Sequence, residues 1–110
     1  MALGDDPAAS VAAPSDTVIA LVANAAPEAT IGGPARTMTL AASLPSRIAE
    51  LTIQGLDILG ALGAELAAPP PAPVQSLALV SRWSMRKGTG EMVLFALTGR
   101  GQLPAGYSVY

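Results

Sequence analysis

Three carboxylates, Glu50, Asp57 and Glu65, stand seven and eight residues apart, the spacing that sets side chains on one face of a helix. Two acids held near each other can divide general acid and general base work between them. Here they interleave with Arg47, Gln54 and Ala61, the composition of a solvated helix face rather than of a cleft. The chain has no His and no Cys, which removes the commonest general base, Ser-His-Asp catalysis and thiolate chemistry together. Lys87 is the one amine that could serve a hydroxyl nucleophile. It falls in Lys87-Gly-Thr-Gly90, which reads as an exposed turn and not as the desolvated pocket that activates an amine.

Metal ligation fares no better. Asp5-Asp6 is an isolated pair, and no Asp-x-Asp-x-Asp loop or Cys/His spacing accompanies it. Phosphate cradles need glycines between a strand and a helix. Ile31-Gly-Gly-Pro34 leads into a strand-like run, and Lys87-Gly-Thr-Gly90 reads as a turn within a hairpin. The expectation is a chain with no catalytic residue, no cofactor, no metal and no small-molecule substrate.

Charge is sparse and unevenly placed. Charged residues make up 13% of the 110, against roughly a quarter in ordinary soluble domains. Residues 1–73 carry seven acids against Arg36 and Arg47, while residues 74–110 carry Arg82, Arg86, Lys87 and Arg100 against Glu91 alone. The halves therefore stand at −5 and +3, and sum to the net −2. A net acidic chain is not expected to bind nucleic acid as its main task. The four cations remain candidates for contact with an anionic partner.

The elements that would position these residues follow from hydropathy. Residues 1–15 are rich in Ala, Pro and Asp and read as a flexible arm, with a single small domain over 16–110. Thr17–Ala23 is a β-branched apolar run of strand length, and Arg36–Ala41 alternates as a second strand. The first run also resembles the apolar part of a secretory signal, but the acids before it are the reverse of a signal's basic start. Leu44, Ile48, Leu51, Gly55, Leu59, Leu62 and Leu66 recur at three and four, and predict an amphipathic helix between Pro45-Ser46 and the Pro69–Pro73 run. Gly55, Gly60 and Gly63 weaken that helix, and Leu51–Ile58 also reads as a strand bulged at glycine. Three acids, Glu50, Asp57 and Glu65, within the apolar stretch Ile48–Ala68 argue against a membrane span.

Val74–Gly99 reads as a β-hairpin. Leu77, Leu79, Trp83 and Met85 alternate with Ala78, Val80, Arg82 and Arg86, and the second arm, Glu91–Thr98, is apolar on both sides. A four-residue turn would set Arg86 opposite Glu91, Trp83 beside Leu94, and Arg82 over Phe95 as a cation–π pair. The predicted fold is α+β, a small antiparallel sheet of four or five strands with one helix across it, or else an all-β sandwich or barrel.

One helix covers one face of such a sheet. Val80, Val93, Phe95 and Leu97 would line the other, an apolar patch of the size that marks an interface. The function expected is a non-catalytic structural or assembly subunit of a larger complex, such as an accessory protein of a viral particle, bound to a protein partner or to its own copies. The alternative is a small binding or regulatory module whose basic hairpin grips an anionic partner or nucleic acid.

Overall fold

The computed structural model describes residues 4–33 and 35–110. Four helices and one two-stranded sheet run in the order α1 (Pro7–Asn24), β1 (Thr30–Gly33), β2 (Arg36–Thr39), α2 (Leu40–Leu62), α3 (Pro71–Arg86) and α4 (Gly90–Leu97). The chain divides into two compact units, Met1–Ala41 and Ala42–Tyr110.

In the first unit α1 begins where chain chemistry favours a start. Asp6 caps it, its Oδ1 accepting from the Ala9 amide at 3.0 Å, and Pro7 opens the first turn. Ser15 and Thr17 return their hydroxyls to the carbonyls four residues earlier, at 2.8 and 3.1 Å. No residue of α1 is buried. After it β1 and β2 pair antiparallel, with Thr30 opposite Thr39 and Ile31 opposite Met38. Gly32 opposes Thr37, and a Cβ there would collide with the Arg36 carbonyl oxygen, so the hairpin requires glycine at that position.

In the second unit α3 starts at the proline run, which tolerates a helix's first turn because those amides lack intrahelical partners anyway. α3 and α4 pack on each other. Between them Gly88, at φ +76°, stops α3 in a Schellman turn. The Thr89 amide donates to the Ser84 carbonyl at 2.9 Å and the Gly88 amide to that of Met85 at 3.0 Å. The same pattern ends α2 at Gly63 and α4 at Gly99. Gly90 then lies so close to Met85 that a Cβ would strike its Sδ and stand 3.2 Å from its Cα.

These elements correct the predicted fold. The sheet of four or five strands is not formed, nor is a sandwich or barrel; β1 and β2 make the one sheet among the described residues. Thr17–Ala23, read as a strand, is helix, and the boundary drawn after Ser15 falls inside α1. The helix expected near 46–68 is α2, which starts earlier and ends at Leu62. The hairpin of 74–99 is the helical pair α3–α4. Its glycine turn is a helix stop, and Arg86–Glu91, Arg82–Phe95 and Trp83–Leu94 lose the strand register on which they depended. Trp83 instead meets Tyr110 edge-on, ring centres 5.4 Å apart.

The core is small. Among the described residues Ala49 and Leu79 are the apolar side chains that are buried, beside Ser43, Ser76 and Ser84. Ser76 and Ser84 enter the interior because their hydroxyls are satisfied within α3, donating to the Ala72 and Ser81 carbonyls at 2.7 and 2.8 Å.

Candidate interaction surface

Helical geometry redistributes the four residues expected to form one apolar patch. On a strand, positions 93, 95 and 97 share a side; on a helix, 93 and 97 lie together and 95 faces away. Val80 and Val93 are half-buried and line a cavity of about 300 Å³ with Ile53, Ser84 and the segment Tyr107–Tyr110. Leu97, 71% exposed, joins Val93, Leu94 and Met85 in a groove of about 290 Å³ between α3 and α4. Phe95 is 52% exposed on the far side of α4, next to Gly101. The structure thus splits the set: Val80 with Val93, Leu97 in a neighbouring groove, and Phe95 apart.

The cations separate as well. Arg82 and Arg86, four residues apart on α3, are exposed, and among the described residues neither guanidinium makes a hydrogen bond or an ion pair. Lys87 is engaged: its Nζ donates to the Ser108 carbonyl at 3.4 Å and to the Tyr110 main-chain oxygen at 3.5 Å. With the Thr89 hydroxyl 2.8 Å from the Tyr107 hydroxyl, this ties the last residues to the α3–α4 corner. Arg100 donates to the Thr98 carbonyl at 3.3 Å. Glu50, Asp57 and Glu65 do not converge; Glu50 pairs with Arg47 at 2.8 Å, and among the described residues no cluster of three or more potential metal ligands exists.

A third apolar surface lies on α2. Ile48, Leu51, Gly55, Leu56 and Leu59 form one wall of a groove of about 510 Å³, and Leu66–Pro69 with Ala72 form the other. The stripe was visible as a helix face, but was expected to pack on a sheet; with no sheet in this unit it stays open. Leu51 is 73% and Leu62 75% exposed. Altogether nineteen large apolar side chains are exposed among the described residues. No described helix is long and apolar enough to cross a membrane.

Comparison with protein families, with curated proteins and with solved structures finds no match to this chain.

Proposed function

We propose that this chain is a non-catalytic assembly subunit, of a particle or another multisubunit body, whose apolar faces are covered by neighbouring protein. One observation carries the reading: among the described residues two apolar side chains are buried while nineteen large ones face water. Apolar side chains gathered along open grooves, as on α2 and between α3 and α4, are what interfaces use. The surface area says the same. The chain exposes 8551 Å², whereas two separate globules of 41 and 69 residues would expose about 6,700 Å².

Thermal unfolding over a roughly hundredfold range of protein concentration tests this, because association that favours the folded form raises the midpoint by mass action. The expected result is a midpoint that climbs with concentration, together with binding of an apolar-surface dye to the dilute chain. A sharp midpoint indifferent to concentration, with no dye bound, ends the proposal.

Arg82 and Arg86 support a second reading, in which the exposed face of α3 meets an anionic partner. Replacing both by Ala should then abolish retention on a polyanion, and retention should fall steeply as salt rises. Retention unchanged by either manipulation removes that reading.

A further inference from the structure

After α4 the chain returns to the helices as a strap. Pro104–Tyr107 makes a turn in which the Tyr107 amide donates to the Pro104 carbonyl at 3.0 Å, with Gly106 at φ +72° in its third position. That is where a type II turn requires glycine. Beyond the turn burial alternates: Tyr107 and Val109 are half-buried, while Ser108 and Tyr110 are exposed. Lys87 Nζ meets the main-chain oxygens of residues 108 and 110, two apart and hence on one edge. Both patterns belong to an extended chain lying on a surface.

Beneath the strap lie Ile53 of α2, Val80 of α3 and Val93 of α4, each half-buried. Together with Leu103 and the strap they line the cavity of about 300 Å³, so the strap covers this cleft without filling it. Three fastenings hold it. The Thr89 hydroxyl already donates to the Ser84 carbonyl at 3.2 Å, so in its 2.8 Å contact with Tyr107 the phenol is the donor. Phenylalanine could not make that bond. Lys87 grips main chain, which every residue type supplies, and Trp83 receives the Tyr110 ring edge-on. Among the described residues no main-chain amide of 108–110 bonds to a helix, so the strap can lift without breaking any helical hydrogen bond.

From this geometry we propose that the corner of α2, α3 and α4 is a binding cleft for an extended peptide of the form Tyr-x-aliphatic-Tyr, kept closed by Tyr107–Tyr110 as its resident occupant. Main chain held along one edge, with alternate side chains turned into pockets, is how extended peptides are recognised. Tyr107 and Val109 are the positions that select, and the unfilled cavity favours a side chain larger than Val109 in a competitor. The cleft is separate from the open faces on which the assembly reading stands, and the two can fail independently.

In the full chain, Tyr107→Ala combined with Val109→Ser should release the strap, shifting Trp83 emission to the red while helical circular dichroism is kept. A labelled free peptide with the sequence of residues 104–110 should then bind this variant saturably and reverse the shift. The intact chain should bind it at least about tenfold more weakly, because its own strap competes from a high effective concentration. A peptide with Phe in place of its first Tyr should lose about fivefold, the net worth of one hydrogen bond. Should the double variant lose its helical signal, Thr89→Val leaves the strap's sequence whole while removing its acceptor, and should still bind the peptide more tightly than the intact chain does. Equal binding to intact and released chains would place the peptide on the open faces and overturn the proposal. So would no binding at all, or Trp83 emission that release leaves unmoved.

Discussion

Gly88 and Gly60 differ in what a methyl group would meet. At Gly88 the backbone stands at φ +76°, where any side chain is strained, whereas Gly60 is in the interior of α2 with nothing within 4 Å of its missing Cβ. Gly88→Ala should cost about 1 kcal/mol, and Gly60→Ala should stabilise by up to about 1 kcal/mol through helix propensity. Urea unfolding of the two variants checks both signs; the reverse order would remove glycine's conformational role at the α3 stop. Trp83 offers a second handle, since it is the one tryptophan in the chain. Tyr110→Ala takes away its edge-on neighbour. We expect a red shift of indole emission and a loss of about 1 kcal/mol, and an unmoved spectrum would mean that the Tyr110 ring does not shield Trp83 in solution.

The elements were legible where the apolar pattern carried their period alone. α2 showed its stripe because leucines mark it at threes and fours, and Arg36–Thr39 showed its alternation as the strand it is. α3 was hidden because two of its inward positions, Ser76 and Ser84, are polar; with those removed from the count, Leu77, Leu79, Trp83 and Met85 mimic a strand's period of two. α4 is eight residues of nearly unbroken apolar chain, and a run that short has no period to read. α1 was lost to its β-branched residues, although Asp6-Pro7 is a helix-start signature. The candidate surface inherited these errors: Val80, Val93, Phe95 and Leu97 form one patch only if 74–99 is extended. The apolar excess itself was legible, since it depends on composition and not on period. For α1 the absence of any buried residue has a consequence of its own. Held by its cap and local hydrogen bonds, with Pro14 in its interior, α1 lacks the tertiary packing that supplies most helical stability in proteins. Its amides should exchange with deuterium well before those around Leu79 in α3, and Asp6→Ala should lower the helical signal further. Equal protection of both segments would show that something covers α1.

At the scale of the whole molecule, the two readings of its surface respond oppositely to salt. Association through the exposed apolar faces buries apolar side chains, so raising ionic strength should leave it intact or strengthen it. Contact through Arg82 and Arg86 should weaken as salt screens the charges. Analytical ultracentrifugation at low and high salt separates them; an assembly that falls apart as salt rises would contradict the apolar reading. The exposed leucines and valines have one more implication, for the life of a copy made in excess. Quality-control machinery selects polypeptides by greasy segments left open to solvent, and small differences in the accessible fraction change abundance several-fold. On the assembly reading proposed above, a surplus copy without companions would be open to capture and degradation, and the supply of its neighbours would set how much of it accumulates.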